Sequence, residues 1–216
     1  MRLILDWMEV WAPLIPTAVW LRYLHIYKRI IPVNIYFVLA FIIGLLAVLE
    51  WKGYFLFRPD ELGGNNFFYN LHSLLRALLF CWFITRFITE GSRRLVGVLF
   101  IIYLSALIYI YGFITSMYYF NSQAQACEAV LLLISGLLFL FKLLTDDVPI
   151  RFSRSPEFWI VIGLLLFEAC NFTIFLFYTL IPSDEYDFAT LLWDVTNFLY
   201  LIFALLTTRG FLIARQ

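Results

Sequence analysis

The sequence predicts an all-α membrane protein: one bundle of seven transmembrane helices, N-terminus outside and C-terminus cytoplasmic. Three observations carry that expectation. Of 216 residues, 63% are hydrophobic and 14% charged, against about 45–50% and about 25% in soluble domains. The apolar residues gather into runs near the ~20 residues that a bilayer-spanning helix takes. Lys and Arg fall unevenly on the loops between those runs. A soluble globule and a disordered chain are thereby excluded. Residues 1–216 read as a single domain, because seven spans leave only short loops.

The spans follow in order. The first, Val10 to Ile26, carries Pro13 and Pro16 early and Arg22 and His25 late. It is kept because Arg22 can snorkel to an interface and Trp7, Trp11 and Trp20 suit an aromatic belt. Asp6 and Glu9 interrupt any signal-peptide core, so this helix is expected to be retained. The second and third spans run from Val33 to Trp51 and from Phe67 to Thr85, separated by the polar Gly63-Gly64-Asn65-Asn66 loop. The fourth and fifth run from Leu95 to Ile114 and from Ser122 to Leu143. Ser155-Pro156-Glu157 opens the sixth, Glu157 to Thr179, with a capping serine, a first-position proline and a first-turn acid. Ile181-Pro182-Ser183-Asp184 breaks the chain before the seventh, Phe188 to Thr207.

Orientation comes from the basic residues. Arg22, Lys28, Arg29, Arg86, Arg93, Arg94, Lys142, Arg151, Arg154, Arg209 and Arg215 fall on one side, and only Arg2, Lys52 and Arg58 on the other. The rich side is assigned to the cytoplasm. Acids lean outward: Asp6, Glu9, Asp60, Glu61, Asp184, Glu185 and Asp187.

Five charges remain inside the runs: Glu50, Arg76, Glu128, Glu168 and Asp194. Each costs ~2.5–3.5 kcal/mol at mid-membrane, so each points to function by default. All fall in the outer half or near the midplane. His72 and Arg76 share a helix face, as do Glu168 and Asn171. Thr190, Asp194 and Asn197 form a stripe, and so do Asn121, Gln125 and Glu128. Stripes at one depth should face a shared interior, so the candidate ligand or ion cavity comprises Glu50, His72, Arg76, Glu128, Glu168, Asn171, Asp194 and Asn197. Four carboxylates against one arginine need protonation, a cationic ligand or outside water for compensation. The alternative is structural glue between helices, at about 0.6 kcal/mol per polar contact.

Other chemistries lack their residues. The last span has no lysine for a retinal Schiff base, and two histidines on opposite sides cannot build a zinc or haem site. No metal and no cofactor is expected. Cys81, Cys127 and Cys170 lie in apolar runs and read as packing residues. Scattered basic residues argue against nucleic acid. The Gly-Leu-Leu at Gly44 and at Gly163, each followed by a glutamate, hints at a parallel repeat of the transporter kind. The tyrosines from Tyr103 to Tyr119 read as interfacial packing.

Glu50, the Tyr69 to Arg76 stretch, Glu128, Ser155 to Trp159 and the Trp193 to Asn197 stretch together resemble a group of uncharacterised bacterial seven-span membrane proteins. That resemblance implies a chain without a soluble domain. Because some members are encoded beside sensor kinases, it also implies a sensory or accessory role. The sequence therefore predicts a receptor-like or accessory membrane protein with an outward-facing polar cavity, partnered by the lipid bilayer and by a membrane or signalling protein. A small-solute or proton-coupled transporter is the alternative, and an intramembrane enzyme using Glu168 and Asp194 is a third.

Overall fold

A computed structural model describes residues 7–22, 28–52, 66–146, 152–178 and 186–215. Arg2, Asp6, His25, Arg58, Asp60, Glu61, Arg151, Asp184 and Glu185 lie outside the described residues, as do the Gly63-Gly64-Asn65 loop and the Ile181-Pro182-Ser183 break.

The described residues form an all-helical bundle. Its long helices are α1 (Met8–Arg22), α2 (Ile31–Trp51), α3 (Asn66–Ile84), α4 (Glu90–Tyr109), α5 (Ser122–Thr145), α6 (Pro156–Tyr178) and α7 (Tyr186–Ala214). Helices α2 to α7 are long and apolar enough to cross a membrane. At 1.5 Å per residue, the 15 residues of α1 reach about 22 Å, short of a ~30 Å hydrocarbon core. Pro13 and Pro16 are accommodated within α1, where Thr17 returns a hydrogen bond to the Pro13 carbonyl at 2.7 Å.

Local chemistry sets the boundaries. Pro32 sits at the start of α2, behind a single 3-10 turn over Lys28–Ile30. The Thr89 side chain caps α4 by accepting from the Ser92 amide, and α4 continues into a π-helical turn, Ile110–Ile114. Asn121 caps α5 through Oδ1, which accepts from the Ala124 amide at 2.9 Å, and a Lys142–Asp146 pair closes the other end. At α6 the serine-proline-acid start is realised: Ser155 Oγ accepts from the Phe158 amide and donates to Glu157 at 2.9 Å.

Six helices close a ring. Extensive contacts run α1 to α2, α2 to α3, α3 to α5, α5 to α6, α6 to α7, and α7 back to α1. Helix α4 stands outside the ring against α5. Only 17% of its apolar stretch is buried, against 39–50% for the other five. Ile101, Ile108 and Phe113 on α4 are largely exposed, as a lipid-facing surface requires.

Glycines allow the close approaches. A Cβ on Gly44 would meet the Glu9 carbonyl oxygen at 3.2 Å, and one on Gly163 would meet the Phe203 ring at 3.1 Å. The first brings the start of α1 onto the end of α2. The second draws α6 against α7. Both glycines of the suggested repeat are thus helix-contact points, which explains them without a repeat.

One end of the ring is filled. Tyr36, Phe37, Phe80, Phe83, Phe203 and Phe211 are fully buried there, along with Ile30, Ile84, Ile160 and Leu164. Phe203 anchors the packing, with ring centroids 5.4 Å from Phe37, 5.6 Å from Phe80 and 5.7 Å from Phe167.

Candidate functional site

The other end of the ring is hollow. A cavity of about 70 Å³ lies inside it, bounded by all six ring helices and by Phe120 in the turn before α5. This is room for about five waters. Helix α1 contributes Glu9, α3 contributes Tyr69, His72, Ser73 and Arg76, and α5 contributes Gln125. Phe167, Asn171 and Phe175 come from α6, and Trp193, Thr196, Asn197 and Tyr200 from α7. Helix α2 supplies three small residues, Ala40, Gly44 and Ala47, which leave the space open, and one larger one, Ile43.

Helical periodicity explains which side chains arrive. Tyr69, His72, Ser73 and Arg76 follow i, i+3, i+4, i+7 on α3. Trp193, Thr196, Asn197 and Tyr200 follow the same spacing on α7, so each set occupies one stripe.

At the base of the cavity Arg76 meets two glutamates. Its Nε donates to Glu128 Oε1 at 2.7 Å and its terminal nitrogen to Oε2 at 2.8 Å, a bidentate pair. Ser73 donates its hydroxyl to the same Oε2. Glu168 Oε1 lies 3.0 Å from Arg76 Nε. That nitrogen carries a single hydrogen, already directed at Glu128, so neither Glu168 oxygen has a hydrogen-bond donor among the described residues. The two carboxylates therefore differ: Glu128 is saturated and Glu168 is not. The guanidinium also lies over the Phe167 ring, 5.0 Å from its centroid.

An aromatic layer sits beside this triad. His72 stacks on Tyr36 with centroids 5.4 Å apart and an interplanar angle of 10°, and the Tyr36 hydroxyl donates to that of Tyr200 at 3.3 Å. His72 Nε2 and both amide atoms of Asn171 are buried without a hydrogen-bond partner among the described residues. Buried polar groups are normally paired, at a cost of about 1–3 kcal/mol when they are not. Unpaired donors and acceptors lining a cavity are what a bound ligand or ordered water would complete.

Toward the open end the Glu9 carboxyl faces the Tyr69 hydroxyl and the Trp193 indole N–H. Trp193 stands edge-on to Tyr69 at 5.2 Å and to Phe120 at 6.1 Å, and Phe120 lies 5.9 Å from Phe175.

The structure thus lines the cavity with His72, Arg76, Asn171 and Asn197 and brings Glu128 and Glu168 against Arg76 behind that wall, without either being part of it. Glu50 is buried at the last turn of α2 but is not part of the cavity wall; Asp194 is half-buried on α7 and is not part of it either. Neither Glu168 nor Asp194 is among the residues that line this cavity. Asn121 leaves its stripe because it is spent as a helix cap. Glu9 was read from sequence as an outer-loop acid, and the structure corrects this to a cavity residue on the first turn of α1. Tyr69 and Trp193 also went unmarked, although each heads a stripe whose spacing is visible in the sequence. Among the described residues no cluster of His, Cys, Asp and Glu is arranged to hold a metal ion.

Comparison with protein-family models, curated proteins and solved structures finds no match to this chain. The reading of the cavity rests on its own geometry.

Proposed function

We propose that the chain is a seven-span inner-membrane protein, N-terminus outside, that binds a small polar ligand in its outer cavity and reports occupancy to a membrane or signalling partner through its basic cytoplasmic turns. The observation that carries the ligand site is a cavity lined by unpaired polar atoms of His72 and Asn171 at one end of a ring whose other end is filled with aromatic rings. Binding needs only the hollow half. Transport needs a path through both halves, so the packed half favours a receptor-like role over a carrier. The proposed seventh crossing is α1, whose short length is compensated by local thinning and by the Trp7 and Trp11 belt. The likeness to bacterial seven-span proteins is part of this proposal and is compatible with the accessory role.

Two measurements test it. In a variant stripped of its native cysteines, Ser116→Cys is expected to react with a membrane-impermeant maleimide in intact cells, and Thr89→Cys only after permeabilisation. The reverse pattern overturns the orientation. In sealed vesicles containing the purified protein, solutes that stabilise the wild type and fail to stabilise Asn171→Leu should bind without net uptake. Uptake of such a solute would replace the receptor reading with the transporter reading, which the surplus of buried carboxylates over Arg76 would then explain.

A further inference from the structure

Glu9 lines the cavity, Glu128 and Glu168 lie behind its wall against Arg76, and Arg76 is the one Lys or Arg among the described residues of that wall. Two donors of Arg76 are committed to Glu128. In the cavity wall Glu9 faces two neutral donors, the Tyr69 hydroxyl and the Trp193 indole, and no basic side chain among the described residues is paired with it. Around it stand aromatic rings: Trp193 5.2 Å from Tyr69, and Phe120 6.1 Å from Trp193. In the same cavity the Asn171 side chain, 1% exposed, has an amide oxygen and nitrogen with no partner among the described residues.

This donor set discriminates between ligand classes. An anion would meet the Glu9 carboxylate, and the charge of Arg76, the one Lys or Arg among the described residues of the wall, is already balanced by Glu128. A hard inorganic cation needs several oxygen ligands at once, and ring faces supply none. An ammonium group suits all three components, since a carboxylate balances its charge, an amide oxygen accepts an N–H, and aromatic faces attract a desolvated cation. The small volume limits the ligand to a few heavy atoms. We infer that the cavity binds a small organic ammonium ion, its charge met by Glu9, its N–H by Asn171, and its carbon surface by Trp193, Tyr69 and Phe120. The inference rests on the reading of this cavity as a ligand site, and it adds the ligand's chemical class.

The test uses the full chain purified in detergent, with thermal unfolding and calorimetric titration. The probes are methylammonium, ethylammonium and tetramethylammonium chlorides, against potassium chloride, sodium acetate and tert-butanol at matched ionic strength. Methylammonium or ethylammonium is expected to stabilise the protein saturably while the three controls do not, and tetramethylammonium, which has no N–H for Asn171, is expected to bind more weakly. Glu9→Gln and Trp193→Leu should each weaken that response about tenfold or more, with Glu9→Asp retaining part of it. Phe120→Leu lies in a turn outside the ring helices and should weaken binding even if the other two variants fold poorly. If acetate or tert-butanol stabilises saturably and Asn171→Leu abolishes the effect, the ligand-site reading stands and the ammonium assignment falls. If ammonium binding is unchanged in Glu9→Gln, Trp193→Leu and Phe120→Leu, the inference is overturned because the ion binds elsewhere. If no probe stabilises the wild type, both the inference and the reading beneath it fail.

Discussion

The two halves of the six-helix ring share the same helices and differ in what those helices point inward. The face of α2 shows the contrast in one element. Val33, Tyr36 and Phe37 are fully buried in the packed half, and one and two turns on the same helix presents Ala40, Gly44 and Ala47. Large rings in the first stretch meet Phe80 and Phe203 and leave no space. Small side chains in the second leave room, and the room is furnished with polar groups from the other helices. The hollow is therefore built by subtraction on α2 rather than by any distortion of the ring. A pore or carrier would need subtraction in both halves; a binding site needs it in one.

The largest expected effect comes from breaking the boundary between the halves, where Arg76 holds Glu128 and Glu168. Arg76→Met leaves two carboxylates without a cation and should cost about 3–5 kcal/mol, measured by unfolding of the purified protein in mixed micelles. The companion test is the triple variant Arg76→Met, Glu128→Met, Glu168→Gln, which should recover most of that loss because no buried charge is left unpaired. A triple variant no more stable than Arg76→Met alone would mean that the arginine contributes by packing on Phe167 rather than by charge.

Next comes the packed half. Phe203 is fully buried and contacts rings on three other helices, so Phe203→Ala should cost about 3 kcal/mol in the same assay. It should also join the two halves. If solute uptake into vesicles appears in Phe203→Ala and is absent from the wild type, the aromatic filling is what keeps the cavity from becoming a path. Equal uptake in both would erase the functional contrast between the halves.

A smaller effect separates the two glutamates on Arg76. Glu128 accepts from both guanidinium nitrogens and from Ser73, so Glu128→Gln should cost about 2–3 kcal/mol through the loss of charge-assisted bonds. Glu168 lies 3.0 Å from Arg76 without a hydrogen directed at it, so Glu168→Gln also relieves an unsatisfied buried carboxylate and should cost less than about 1 kcal/mol. Equal losses would show that proximity to the guanidinium matters more than hydrogen-bond alignment.

How much of this was legible in the sequence follows from what kind of pattern each feature leaves. Helices α2 to α7 were legible because lipid demands unbroken apolar stretches with internally satisfied backbone, and Pro156 and the caps mark where they begin. The polar triad was legible in part, since charged residues inside apolar runs are conspicuous; His72 and Arg76 also sit four apart on one face. The partners were not legible. Nothing in one helix says that Glu128 on α5, rather than Glu50 on α2, will meet Arg76 on α3. That choice is made by the order of helices around the ring and by the exclusion of α4 from it. Glu9 was missed because its charge fitted the outer-loop count so well, whereas Gly44 lets the first turn of α1 settle against α2 and turns that acid inward.

The smallest expected effect on stability is also the sharpest test of construction by subtraction. Ala47 is 1% exposed and lines the cavity on α2. Ala47→Leu adds three carbons toward a space that the packed half would have filled. If the cavity half is hollow only because α2 is small there, the leucine should be accommodated, with stability unchanged or raised by up to about 1 kcal/mol, as cavity-filling substitutions commonly do. Ligand-induced stabilisation should vanish in the same variant, because the added side chain takes the ligand's volume. A loss of more than about 2 kcal/mol would instead indicate overpacking against rings already in place. In that case the cavity is held open by rigid neighbours such as Phe167 and Phe175, and the difference between the halves belongs to α6 as much as to α2.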